Sequence, residues 1–179
     1  MNAWSLLTIP KEQQGHKGND GYQDSIPHFY SFDSTVANSS KISTGDIVAP
    51  RTAHQIIGLS VVEAVHRQPG TKERHRCPSC GSTKIGYRKT QERPWRCQVC
   101  KHEFTHRTSE TIEITKYRIE YHSRWKPFSP PIPVATFDDI YVTNAKQQSI
   151  RRLDLAKLTM LPAASPFFLG ARPTEPRTP

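Results

Sequence analysis

One spacing, used twice, constrains this chain more than anything else in it. Cys77-Pro78-Ser79-Cys80 and Cys97-Gln98-Val99-Cys100 are C-x-x-C knuckles with 16 residues between them, and they hold all four cysteines. A C-x-x-C turn sets two sulfurs on one side of an ion. A short β-hairpin over residues 81–96 brings the second pair opposite, giving the thiolate tetrahedron that zinc favours. Gly81 after the first knuckle, and the aromatics Trp95 and Phe104 near the second, fit a zinc ribbon. Residues 1–10 contain no basic leader and only a short apolar stretch, so a cytoplasmic location is expected. That location argues against disulfides, and a redox C-x-x-C would not need two copies at hairpin spacing. The expectation is one structural zinc on Cys77, Cys80, Cys97 and Cys100. Four thiolates leave no open coordination position, and so small a ribbon folds only with its metal.

Charge singles out the same segment. The chain carries +9 overall. Residues 1–71 hold −1, residues 72–107 hold +7 and residues 108–179 hold +3. A concentrated basic module points to a polyanion, most often nucleic acid, rather than to a merely solvated face. Arg74, Arg76, Lys84, Arg88, Lys89, Arg93, Arg96 and Lys101, with Arg107, are the candidate phosphate contacts. Arg88 and Lys89 fall near the middle of the expected hairpin, where side chains project outward.

The remainder reads as short strands and loops. Residues 4–9 are a short apolar run, a buried first strand. Residues 10–29 read as a long loop, and residues 28–34 as an aromatic cluster. Gly45-Asp46 signals a turn, and residues 55–65 form the strongest strand by β-branched content. Over residues 112–121 the apolar period of two changes phase near Lys116, the signature of a β-bulge. A Pro-rich loop over 127–133 precedes a strand at 140–142. Ile150, Leu153, Leu158 and Leu161 allow one short helix. The pattern is mainly β (α+β), and a small, partly open β-barrel with the ribbon inserted fits it best. The barrel takes residues 1–71 and 106–157, the ribbon 72–105, and a Pro-rich, disordered tail 158–179. No apolar run approaches the roughly 20 residues that cross a bilayer.

Several runs resemble a known family. They are Trp4-Ser5-Leu6-Leu7-Thr8-Ile9, Gly21-Tyr22-Gln23-Asp24, Tyr30-Ser31-Phe32-Asp33-Ser34-Thr35-Val36-Ala37-Asn38, Gly45-Asp46-Ile47-Val48, Arg96-Cys97-Gln98-Val99-Cys100 and Ser149-Ile150-Arg151-Arg152-Leu153-Asp154. Over residues 3–155 the chain resembles the EVE-like, PUA-superfamily domain of bacterial HNH restriction endonucleases, in which a C-x-x-C ribbon interrupts the barrel. The resemblance implies a DNA-binding specificity module that reads a modified, flipped base. An extruded base needs aromatic faces and polar groups for its edge. Trp4, Tyr22, Tyr30 and Phe32 are the candidate faces, and Asp33, Ser34 and Asn38 the candidate edge readers. The alternative for each is a core or turn role.

Neither a His–Asn–His nuclease pattern, a nucleophile motif nor a phosphate-cradling Gly loop is visible, so no catalytic residue is assigned. Asp138-Asp139 points to opposite faces if extended. The expected partner is nucleic acid, DNA ahead of RNA, with a nuclease partner encoded nearby and no membrane. The other classes weighed are an RNA-binding PUA-like protein and a zinc-ribbon adaptor between proteins.

Overall fold

The structure is a computed structural model and describes residues 1–9 and 22–169. Residues 10–21 of the expected loop and residues 170–179 of the expected tail lie outside the described residues. The strands, in chain order, are β1 (Ala3–Leu7), β2 (Phe29–Asp33), β3 (Ile47–Arg51), β4 (Gln55–Val61), β5 (Ala64–Arg76), β6 (Ile85–Tyr87), β7 (Trp95–Cys97), β8 (Glu103–Phe104), β9 (Thr108–Glu120), β10 (Lys126–Pro133) and β11 (Ile150–Leu153). Two short helices follow, α1 (Leu155–Met160) and α2 (Ser165–Leu169). The chain divides into two compact units. The first comprises Met1–Thr8, Asp24–His66 and the chain from Tyr117 onward, and the second contains Arg67–Lys116. The second is wider than the 72–105 read from the cysteines, because the ends of β5 and β9 belong to it.

A five-stranded sheet of order β10-β4-β3-β1-β11 organises the first unit. β1 runs parallel to β3 and antiparallel to β11. Both faces of this sheet are apolar. On one, Ala3, Ala49, Leu59 and Leu153 pack with Phe137, Tyr141 and Leu158. On the other, Trp4, Leu6, Val48 and Ile150 pack with Tyr30, Phe32, Ile119 and Tyr121. Burial on both sides is why β1 reads as a continuous apolar run instead of an alternation.

The expectation of mainly β structure holds, but among the described residues no sheet closes into a barrel. Five-, three- and three-stranded sheets are formed instead. Strand β10 marks where closure stops. It contains Pro127, Pro130, Pro131 and Pro133, and proline cannot donate to a further partner. The same residues were expected to be a loop. They are an edge strand, the one place in a sheet that tolerates proline, and Phe128 from it is buried in the core. The expected strand over 55–65 is two strands. Val62 donates to the Asp46 carbonyl at 2.8 Å and Glu63 to the Glu120 carbonyl at 2.8 Å, so the chain changes sheets there. In β9 burial alternates on even positions to Ile114 and on odd positions from Tyr117, the phase change expected near Lys116. Residues 158–169, expected to belong to the tail, are instead ordered. Leu158 and Ala164 are buried under α1 and the turn at Pro162–Ala164, and α2 extends order to Leu169. Asp154 caps α1 by accepting from the Lys157 N–H at 3.1 Å.

One buried carboxylate fixes the start of the sheet. Asp46 accepts from the Asn2 N–H at 2.7 Å, the Trp4 indole Nε1–H at 2.9 Å and the Ser43 N–H at 3.0 Å. Gly45, at φ 87°, makes the turn that aims it. Asp46→Ala leaves the indole N–H of Trp4 buried without an acceptor, and we expect it to cost about 2–4 kcal/mol in urea unfolding at unchanged m-value. In the Trp4→Phe background the same substitution should cost less, by about 1 kcal/mol or more.

A second carboxylate is held against its preference. Burial raises the Asp24 pKa from 3.8 to about 6, against the Ser31 N–H that donates to it at 2.9 Å. The folded state therefore binds the proton more tightly than the unfolded chain, and stability falls as pH rises from about 4 to 6. Asp24→Asn keeps the acceptor for Ser31 and removes the charge. It should stabilise the protein by about 1–2 kcal/mol at pH 8, after allowance for water at its partly exposed side, and by nothing at pH 4. Thermal unfolding at the two pH values checks the difference.

Candidate metal centre and ribbon surface

The second unit carries a three-stranded sheet of order β6-β7-β8 with a core of Cys77, Cys97 and Phe104, against which Ile85 and Trp95 pack. Both knuckles have one backbone design. After the first, the Gly81 N–H donates to the Cys77 carbonyl at 2.9 Å. After the second, the Lys101 N–H donates to the Cys97 carbonyl at 3.1 Å. Each turn needs a left-handed residue at its end, and Gly81 (φ 70°) and Lys101 (φ 63°) supply it. Gly81 does so freely, whereas Lys101 adopts a conformation that costs a side chain about 1 kcal/mol.

These turns gather the four sulfurs. The Sγ atoms of Cys77, Cys80, Cys97 and Cys100 lie within 4.8 Å of one another. Cys77–Cys100 and Cys80–Cys97 are each 3.6 Å apart, and all four thiols are free. That separation is far beyond a disulfide and close to the ~3.8 Å edge of a tetrahedron of sulfurs bonded to one ion at ~2.3 Å. The residues present therefore fit a four-thiolate metal ion. Desolvation opposes the Cys97 thiolate, yet the N–H groups of Cys100 and Val99 and the thiols of Cys80 and Cys100 outweigh it, and its pKa falls to about 6. Cys80 moves the other way: the Ser82 backbone favours its thiolate, but the thiols of Cys100, Cys97 and Cys77 and burial push it up to about 12, so the four thiols share their protons.

Around the centre, the candidate phosphate contacts divide by what else they touch. Arg74 and Arg76 both pair with Glu110, and Arg76 also donates to the Gly81 carbonyl at 2.8 Å, bracing the first knuckle. Hydrogen bonds from Arg76 and then Arg74 hold the Glu110 pKa down to about 2. Arg88 does not project outward from the hairpin as expected. It is half-buried, pairs with Glu103 at 2.7 Å and donates to the Arg93 carbonyl at 2.9 Å, tying the hairpin to β8. Arg96 stands 3.8 Å from the same Glu103. Lys101 bonds the Gln98 carbonyl at 2.8 Å. Lys84, Lys89 and Arg93 are exposed and have no ion pair among the described residues.

Sequence reasoning placed Trp95 in the ribbon core and passed over Tyr87. The two are cross-strand partners on β6 and β7, with ring centres 4.8 Å apart. Tyr87 is 47% exposed, and the Arg107 guanidinium lies 4.3 Å over the Trp95 ring. A cleft of about 270 Å³ is lined by Tyr87, Arg96, Gln98 and Lys101 among others. The available signal was the placement of Tyr87 and Trp95 at matching distances from the hairpin turn.

The candidate base pocket does not assemble. Trp4, Tyr30, Phe32 and Asp33 are all at most 4% exposed. The Trp4 ring is in the core with its N–H on Asp46, and the Tyr30 hydroxyl donates to the Leu7 carbonyl at 3.1 Å. Phe32 stacks on Tyr117 with ring centres 5.1 Å apart. Asp33 accepts from the backbone N–H of Thr35 at 2.7 Å and from its hydroxyl, so it closes a turn. Asn38, at φ 68°, donates its amide to the Ile150 carbonyl at 3.0 Å. Ser34 is exposed and Tyr22 half-buried. Trp4, Tyr30 and Phe32 are thus spent on the core and Asp33 on a turn, because an aromatic cluster beside a central strand is what such a sheet buries. No family model, curated protein or solved structure matches this chain.

The thiolate cage makes one prediction. The purified protein should contain about one metal ion per chain by elemental analysis. Cys97→Ser should lose that ion and shift Trp95 fluorescence towards that of an exposed indole. Stoichiometry near zero with native Trp95 emission would contradict the assignment.

Proposed function

We propose that this chain is a zinc-ribbon DNA-binding module that holds the phosphate backbone through the exposed cations of its ribbon. Four thiolates in a tetrahedral arrangement are the donor set of a structural zinc site, and the ion supplies fold, not chemistry. The observation that carries the nucleic-acid reading is the ribbon surface itself. Lys84, Lys89 and Arg93 make no ion pair among the described residues, on the same small unit as the exposed Tyr87 and the Arg107–Trp95 stack. Cations for phosphates beside an aromatic face for a base are the parts of such an interface.

The finer reading rests on the resemblance. It makes the first unit an EVE-like, PUA-superfamily module, cytoplasmic, that recognises a modified base on behalf of a restriction nuclease. For that recognition Trp4, Tyr30 and Phe32 would have to leave the core to stack. No helix of the described residues is long and apolar enough to cross a membrane.

Fluorescence anisotropy across a salt series tests the proposal. Wild-type protein should bind duplex DNA with log K falling linearly in log salt, and the Lys84→Ala/Lys89→Ala/Arg93→Ala triple variant should flatten the slope by about 2–3. Arg74→Ala, at a residue already committed to an ion pair with Glu110, should change it far less. An unchanged slope in the triple variant sinks the backbone contact. Tighter binding to RNA of the same sequence moves the reading to RNA, and absence of binding at low salt moves it to a protein adaptor. Equal affinity for modified and unmodified duplex removes the modified-base reading alone.

A further inference from the structure

We propose that Arg51 and Arg151 form a binding site for a phosphomonoester dianion. They are 5% and 3% exposed, and each Nε is buried without a hydrogen-bond partner. Neither makes an ion pair among the described residues. A guanidinium is almost never buried unless it is paired, because desolvation without a counter-charge is costly. Here two such groups are buried on the same side of one sheet.

The register brings them together. Arg151 on β11 is opposite Ser5 on β1, and Arg51 on β3 is opposite Leu7. Positions 5 and 7 of β1 face the same way, so both arginines flank the end of β1 on the face that holds Tyr141. The Arg151 guanidinium lies 3.2 Å over the Tyr141 ring, and the Tyr141 and Ser5 hydroxyls are 3.2 Å apart. Only carbonyls take up the fork tips. Arg51 Nη1 donates to the Thr52 carbonyl at 3.2 Å and Arg151 Nη2 to the Thr143 carbonyl at 2.9 Å. Thr143 is exposed and Thr52 half-buried, so the tips lie close to surface segments from which an anion can approach. Burial, chiefly, and the Arg151 charge hold the Arg51 pKa below its usual value, with the Tyr141 hydroxyl opposing them.

Two guanidiniums ask for about two negative charges. A carboxylate or a phosphodiester brings one, whereas a phosphomonoester brings about −1.5 to −2 at pH 7 and matches the planar forks in geometry. The Ser5–Tyr141 hydroxyl pair adds donors beside them. The source is free orthophosphate, a nucleotide or the 5′-phosphate end of a nucleic acid. The site uses no ribbon residue, so its failure and that of the backbone contact are distinguishable.

Isothermal titration calorimetry on the metal-replete full chain, against chloride at matched ionic strength, tests this with orthophosphate, a nucleoside 5′-monophosphate, and one oligonucleotide with and without its 5′-phosphate. Orthophosphate or the nucleotide should bind, and Arg51→Met and Arg151→Met should each weaken binding at least about tenfold. Lys126→Ala, at an exposed cation outside both sites, should leave it unchanged. In phosphate-free buffer Arg51→Met should not lower the unfolding temperature, since it removes an uncompensated buried charge. Should that variant fail to fold, Arg51→Lys keeps the charge, loses the fork and should still weaken binding several-fold. Preference for the 5′-phosphorylated oligonucleotide supports the site as a reader of nucleic-acid ends. Binding of orthophosphate or mononucleotide alone supports it as a small-molecule site. No heat and no thermal shift beyond chloride with any of these ligands overturns it, as does undiminished binding in both Met variants.

Discussion

The buried Asp46 carboxylate is the contact on which the first unit's arrangement turns. Its three donors come from both sides of a parallel strand pair, Asn2 just before β1, Trp4 on β1 and Ser43 before β3. Parallel neighbours cannot be joined by a tight hairpin, so something other than a turn must set their register. Here a side chain does, and it simultaneously satisfies the largest buried ring of the sheet. With β1 placed, Ala3 and Ser5 face one core and Trp4 and Leu6 the other, and a one-residue slip would exchange the two.

The ribbon is built on a different principle. Its core is three buried side chains with two partly buried neighbours, two of the three being cysteines. Apolar area of that size does not offset the entropy of ordering a hairpin and two knuckles. A metal ion held by the four thiolates would replace a hydrophobic core, and the ion pairs Arg76–Glu110 and Arg88–Glu103 tether the periphery. Being exposed, such pairs contribute orientation more than stability.

What was legible in the sequence was whatever depended on local spacing. The cysteine tetrad, the Gly45-Asp46 turn, the buried first strand and the phase change in β9 all follow from intervals of a few residues. What was not legible depended on neighbours distant in the chain. β5 carries Pro69, Gly70 and mostly polar residues, and it is a strand because β9 pairs with it at a sheet edge. β10 reads as a loop until its edge position is known. Trp4, Tyr30 and Phe32 look alike as stacking faces or as core, and only the second sheet over them decides between the two. Arg51 and Arg151 attracted no attention because nothing local distinguishes a buried arginine from a solvated one.

Net charge, read along a chain, overstates what a partner meets. Residues 72–107 hold +7, yet four of the arginines in the ribbon unit share two carboxylates, Glu103 and Glu110. Glu110 lies outside the interval that the cysteines delimit, so counting within 72–107 misses the one negative charge that Arg74 and Arg76 share. The field at a distance depends on the total, and long-range attraction of a polyanion survives this pairing. Direct contact does not, because an arginine already committed to a carboxylate must break that bond to take a phosphate. Lys84, Lys89 and Arg93 make no ion pair among the described residues, although the Arg93 charge still acts on Glu103. The same logic inverts at Arg51 and Arg151, where the fold buries two cations and, among the described residues, pairs neither with a carboxylate. A basic surface thus separates into charges used for folding and charges available for binding, and only the positions of the acidic partners distinguish them.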